Sequence, residues 1–172
     1  MNKKIILLTG SPGIGKTTII KNILEYKRDI FGGFFTEEIR KNNMRLGFRL
    51  ITIDGRSCIM AHRDIKSKFK VGKYGVNLEC IERIGVDAIK NAIAQGKIVV
   101  IDEIGKMELF SNIFKVAVID ALNSSSSVIG TIPLSFHPFC EEIKNRYDVQ
   151  IIEVTMSNRE GLANKLISSL FP

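Results

Sequence analysis

The sequence predicts an α/β fold: a mostly parallel β-sheet with helices on both faces and an antiparallel β-meander added at one side. Three observations lead there. Short runs of β-branched and aliphatic residues (KIILLT at 4–9, KIVVI at 97–101, SVIGTI at 127–132, VQIIEV at 149–154) read as buried strands. These runs alternate with segments whose apolar residues recur at helical spacing, the order that builds a parallel sheet from strand–helix–strand units. Between the first helix and the second, the texture changes to apolar/polar alternation with turn signals at Asn42-Asn43 and Asp54-Gly55, which reads as a meander.

Taken in order, strand 4–9 is followed by a helix from Lys16 to Tyr26, because Ile19, Ile20, Ile23 and Leu24 share one face. GGFFTEEIR (32–40) and NNMRLGFRLITIDGRSCIMAH (42–62) form the meander. Leu78, Ile81, Ile84, Ala88, Ile89 and Ile93 then make one apolar stripe, closed by Gly96 as a C-cap. Strand 97–102 leads to a helix near 112–122, and SSSS (124–127) hands over to strand 127–132. A helix from Pro138 to Arg146 carries its proline in the first turn, where a missing N–H does no harm. Strand 149–154 and a helix with Leu162, Leu166 and Leu170 complete residues 1–172, read as one domain without repeats or a dividing linker.

Composition excludes several classes. Hydrophobic content of 45% and charged content of 25% suit a globular protein of 172 residues with one large core. No apolar run approaches the roughly 20 residues of a membrane span, and IILL is too short for the core of a signal peptide, so a cytoplasmic location is expected. Cys58, Cys80 and Cys140 are far apart, odd in number and lack C-x-x-C spacing, which fits a reducing cytosol and argues against a disulfide framework or a Cys-based zinc site. The net charge of +7 favours anionic partners. Basic residues thicken at 62–75 (Arg63, Lys66, Lys68, Lys70, Lys73), read as a solvated, mobile loop. A nucleic-acid contact there is the lesser reading, since Phe69 and Tyr74 do not make a stacking platform.

The chemistry is concentrated in two places. GSPGIGKT (10–17) matches G-x-x-x-x-G-K-[ST] and lies between a predicted strand and a predicted helix, the context of a phosphate-binding loop. Gly13 and Gly15 permit close backbone approach, and successive N–H groups to Thr18 face one concavity at the positive helix end. The nucleotide-binding set is therefore Gly10, Ser11, Pro12, Gly13, Ile14, Gly15, Lys16, Thr17 and Thr18, with Lys16 on the β- and γ-phosphates and Thr17 on Mg²⁺. The second place is IDEIGK (101–106), where a buried strand stops on two adjacent carboxylates. A phosphate-bound Mg²⁺ explains them: Asp102 completes the metal site with Thr17, and Glu103 orients or deprotonates the attacking water.

Other assignments stay open. Lys106 either stabilises charge on the transferring phosphoryl group or pairs with Glu103 or Glu108. Thr131 either senses the γ-phosphate or is an ordinary strand-end threonine. Arg40, Arg49, Arg146 and Arg159 are each candidates for an arginine finger, with a surface ion pair the simpler role for any one. His62 and His137 read as structural or exposed.

Base-reading NKxD and LSGGQ-type signatures are missing. The acid followed by glutamate resembles the additional-strand, catalytic-glutamate branch of P-loop ATPases, in which one strand, here 127–132, lies between the P-loop strand and the acid-bearing strand. GSPGIGKTT, GFFTEEIR, RLGFRLITIDG, VGKYGVNLE, IDEIGKMELF, GTIP, EEIKNRYDV and EVTMSNRE occur in this order. Together they resemble the THEP-type nucleoside-triphosphatase family, also called cancer-related nucleoside triphosphatases. The resemblance implies a RecA-like P-loop domain that hydrolyses ATP, GTP, CTP and UTP with little base preference, with Ile101, Ile104 and Gly105 completing the strand-end side of its nucleotide site. Two departures stand out: KNN (41–43) replaces a glycine-rich turn, and Leu134-Ser135-Phe136 stands where basic residues are common. By analogy with other P-loop folds, Asn158 and Arg159 neighbour the base. Without an evident arginine finger, slow turnover is expected. The rival readings are a kinase, with GFFTEEIR and the meander shaping the pocket of a small acceptor over the nucleotide, and a nucleic-acid-coupled ATPase gripping a backbone through 62–75 but lacking a dedicated motif; the oligomeric state is left open.

Overall fold

The computed structural model describes residues 2–171. Nine strands form one sheet. β1 (Ile5–Thr9) leads into α1 (Lys16–Tyr26); β2 (Phe31–Lys41), β3 (Met44–Thr52), β4 (Ser57–His62), β5 (Lys70–Val71) and β6 (Tyr74–Val76) follow. The helical segments α2 (Leu78–Cys80) and α3 (Asp87–Ala94) precede β7 (Ile98–Ile101), α4 (Asn112–Asn123), β8 (Val128–Thr131), α5 (Pro138–Lys144), β9 (Val149–Glu153) and α6 (Leu162–Leu170). The sheet order is β5-β6-β4-β3-β2-β7-β8-β1-β9.

β1 is parallel to both β8 and β9, and β7 is parallel to β8 and to the start of β2. β8 therefore lies between β1 and β7, the insertion expected for the additional-strand arrangement. Alternation along β1 decides the layers. Ile5 and Leu7 join a core with the π-helical turn, α3, α4 and α5, whereas Ile6 and Leu8 join a second core with α1 and α6. Both faces are covered, so all five β1 residues are buried and the strand has no polar alternation. Each fully buried aliphatic or aromatic side chain contributes about 1.5–3 kcal/mol.

Four features differ from the sequence-based expectation. β2 belongs to both halves of the sheet: Phe31–Phe34 pair in parallel with Ile98–Ile101, and Phe34–Lys41 pair antiparallel with β3. Phe31 and Phe34 are fully buried there, and a run serving both pairings has no internal punctuation. The basic stretch 62–75 is not only a loop. It holds β5 and β6, anchored by buried Tyr74 and Val76. The stripe at 78–93 is not one regular helix, because Ile81–Val86 is a π-helical segment between α2 and α3. Finally, Cys58 on β4 and Cys80 on α2 form a disulfide with a Cα–Cα distance of 5.8 Å, against the expectation of cysteines kept reduced without a disulfide framework. Their separation of 22 residues carries no spacing signal; the packing of the helix against β4 brings them together. Cys140 remains free and buried, and burial pushes its thiol pKa up to about 11.

Turn chemistry follows expectation. Asn42 and Asn43 take positive φ of 48° and 61° in the β2–β3 hairpin, a conformation asparagine tolerates, so KNN serves without glycine. His137 caps α5 by accepting from the Phe139 amide, and His62 accepts from the Asp64 amide.

Candidate active site

The carboxyl ends of the parallel strands set the site. Leu8 is level with Thr131 and Ile101 with Gly130, so Gly10, Asp102 and Thr131 emerge at one sheet edge. The segment after β7 is pinned there by Asp102 N–H donating to Phe34 O (3.2 Å) and Ile104 N–H donating to Thr131 O (2.9 Å). The peptide between Asp102 and Glu103 is cis.

Gly13 and Gly15 have φ of 76° and 113°, where a side chain would be strained. Gly15 begins α1 without a side-chain cap, and no acidic residue lies in the first turn. The first amides of α1 and its positive dipole end therefore face the loop, which makes an anion cradle. Lys16 Nζ is held over this cradle by the carbonyls of Gly10 (2.8 Å) and Ser11 (3.1 Å).

Asp102 is 2% exposed, yet its oxygens are treated unequally. Oδ1 accepts a 2.5 Å hydrogen bond from the Thr131 hydroxyl, while Oδ2 is buried with no partner. Burial raises its pKa against the lowering effects of Thr131, Thr17 and Lys16. An orphaned carboxylate oxygen beside the Thr17 hydroxyl and a phosphate cradle fits a hard divalent cation, which takes one or two protein oxygens and completes its shell with phosphate and water. Glu103 is pushed upward by burial and by the Asp102 charge, with Lys16 opposing. Its side chain lies along Gly105: a Cβ there would meet Glu103 Cγ at 2.7 Å.

These groups share a cleft of about 990 Å³ lined by Gly10, Pro12, Gly13, Gly15, Lys16, Thr17, Thr18, Asp102, Glu103 and Lys106. Lys106 is exposed and joins no ion pair among the described residues, so neither Glu103 nor Glu108 holds it. Ile101 and Ile104 are fully buried in the core, so their side chains face away from the cleft. Ser11, Ile14 and Thr131 do not line it either, although Thr131 reaches the site through Asp102. Asn158 and Arg159 follow β9, on the other side of β1, and lie outside the cleft. Asn158 instead closes its own loop, accepting from Thr155 N–H and donating to Glu153 O, both at 2.8 Å.

The four candidate arginines are elsewhere: Arg40 pairs with Glu38 and Arg146 with Asp148, and none of the four lines the cleft. Several cleft residues escaped sequence reasoning, Arg45 and Glu108 among them. Arg45 lines it from β3, where its place in an alternating strand carries no signal. Glu108 is 2% exposed in the short 3-10 turn Glu108–Phe110, and in sequence it resembles any surface acid. Burial and the charge of Glu103 raise its pKa well above the usual glutamate range.

A phosphate cradle at the end of β1, an inserted β8, and adjacent carboxylates at the end of β7 define a P-loop nucleotide-binding protein of the additional-strand type. Comparison with known proteins narrows the class. The family model described as NTPase matches residues 5–167. A nucleoside-triphosphatase THEP1 from Thermotoga sp. (strain RQ2) is 46% identical over 165 residues, covering 96% of this chain and 94% of that one. The human cancer-related nucleoside-triphosphatase is 36% identical over 179 residues, covering 95% and 94%. The crystal structure of THEP1 from Aquifex aeolicus superposes with a TM-score of 0.90 at 36% identity, covering 98% of this chain and 99% of that one. The chain belongs to this THEP-type NTPase family.

Proposed function

We propose that this protein hydrolyses the terminal phosphate of nucleoside triphosphates in a Mg²⁺-dependent, slow reaction with little preference among ATP, GTP, CTP and UTP. The observation that carries this reading is the convergence of Lys16, Asp102 and Glu103 in one cleft beside an uncapped helix N-terminus. The names of the relatives support the hydrolytic class.

In this reading the loop amides and Lys16 bind the β- and γ-phosphates. Thr17 and Asp102 would hold Mg²⁺, which would supply neutralisation of the phosphate charge. Thr131 fixes Asp102 Oδ1, so that Oδ2 is the oxygen left to face the cation or its water. Glu103 orients the attacking water and accepts its proton, and its raised pKa makes it a better base than an exposed glutamate. The loop after β9 supports base tolerance, since both ends of the Asn158 amide are occupied within it. Slow turnover is supported by the position of Arg40, Arg49, Arg146 and Arg159, none of which lines the cleft among the described residues.

The test is phosphate release from the four triphosphates with and without Mg²⁺, wild type against Glu103→Gln. Release from all four, falling about 10²–10⁴-fold in the variant while nucleotide binding persists, supports the reading. Tight binding without release in the wild type would sink it.

A further inference from the structure

The cleft is larger than its phosphate end. From Glu103 it continues across β2, β3 and β4 to β6, away from β9. Its volume of about 990 Å³ stands at the upper limit of single small-molecule sites, roughly 300–1,000 Å³. The distal half has its own chemistry. Phe48 and Tyr74 meet edge to face, with ring centroids 5.5 Å apart, and Met60 and Val71 extend this apolar wall.

Arg45 stands at the rim of the wall, its guanidinium carbon 5.1 Å from the Phe48 ring centroid and 5.6 Å from that of Tyr74. Nε donates to the Tyr74 hydroxyl (3.1 Å) and Nη1 to Glu38 (3.0 Å). A guanidinium has five N–H donors, so three remain for another acceptor in a fork that suits a carboxylate or phosphate ester. Glu38 does not cancel this charge, because Arg40 also pairs with it at 2.6 Å. Two arginines against one carboxylate leave the rim net positive.

We propose that this distal half is a second ligand site, for a small molecule with an aromatic or apolar body and one anionic group. The body packs on Phe48 and Tyr74, and the carboxylate or phosphate ester engages the free edge of Arg45. The site is occupied together with a nucleotide in the phosphate cradle, so the proposal rests on the nucleotide reading above.

The test uses the full chain labelled at methionine methyl groups, with Met60 as reporter, saturated with ADP and Mg²⁺ and titrated with benzoate. Phenyl phosphate is the second anionic probe, and benzylamine and benzyl alcohol are the charge controls. The expected result is a saturable shift of Met60 by both anions, at least tenfold weaker binding of the two controls, and benzoate affinity reduced at least tenfold by Arg45→Met. Arg45→Lys should fall between, since it keeps the charge and loses the fork. A Met60 shift by benzylamine equal to that by benzoate, or benzoate binding unchanged in Arg45→Met, overturns the proposal. Movement of Met60 by ADP and Mg²⁺ that blocks benzoate also overturns it, because the base then fills this half. If ADP fails to bind and Lys16→Ala changes nothing, the nucleotide reading fails instead. Benzoate titrated into nucleotide-free protein then tests the distal half by itself.

Discussion

The Thr131 hydroxyl donates a 2.5 Å hydrogen bond to Asp102 Oδ1 across two adjacent strands, and the other oxygen of that buried carboxylate has no partner. β8 thus does more than widen the sheet between β1 and β7. Its last residue orients the acid at the end of β7. Thr131→Val keeps the shape and removes the donor. A hydrogen bond to a charged group is worth about 1.5–3 kcal/mol, so hydrolysis should fall roughly 10–100-fold and half-saturation should need more Mg²⁺. Thr131→Ser should recover most of the loss. Steady-state rates over a Mg²⁺ series check this, and an unchanged Mg²⁺ requirement in Thr131→Val would assign the bond to structure alone.

Gly105 makes room for Glu103. A methyl group at residue 105 would collide with the Glu103 side chain, and its backbone does not need the positive φ that only glycine accepts freely. The penalty of Gly105→Ala therefore falls on the position of Glu103 and not on local backbone strain. The expected outcome is a kcat reduced about 10²-fold, with nucleotide Kd and unfolding midpoint little changed, since a misplacement of about 1 Å can cost that much. Parallel kinetics and calorimetry would separate this from a general loss of folding.

These two contacts mark how far the sequence could be read. The strand–loop–helix at 4–26 was legible because three signals coincide: a buried run, a glycine-rich phosphate motif and helical spacing. The inserted position of β8 followed from the adjacent acids by resemblance, and the sheet order has it. The dual role of β2 was not legible, because parallel and antiparallel pairing ask for the same residue types. Arg45 and Glu108 were hidden for a different reason. Burial and shared space at these positions are set by elements distant in sequence, and nothing beside either residue announces them.

The Cys58–Cys80 disulfide closes a loop of about 20 residues between β4 and α2. Cross-links of this loop size restrict the unfolded chain enough to add about 3 kcal/mol in the loop-entropy account. Denaturant unfolding of the oxidised protein should lose a stability of that order on reduction. Thiol titration in denaturant should count one free group before reduction, Cys140, and three after it. Three thiols in protein purified without reductant would show that the pair is not joined.

Glu108 gives the fold a pH dependence of definite sign. Its carboxyl is raised well above the usual range by burial first and by the charge of Glu103 second, so the folded state binds a proton that the unfolded state has released. Stability from this group is complete below the ordinary glutamate value and is lost as pH rises through the folded value. Glu108→Gln removes the titration while keeping the side-chain shape. The variant should match the wild type in urea unfolding near pH 4 and exceed it increasingly toward pH 8. In a Glu103→Gln background the gain should shrink, because the neighbouring charge is gone, without vanishing, because burial is the larger cause. A Glu108→Gln protein destabilised increasingly toward pH 8 would mean that the carboxyl makes a specific bond in its charged form, and the assigned cause would be wrong.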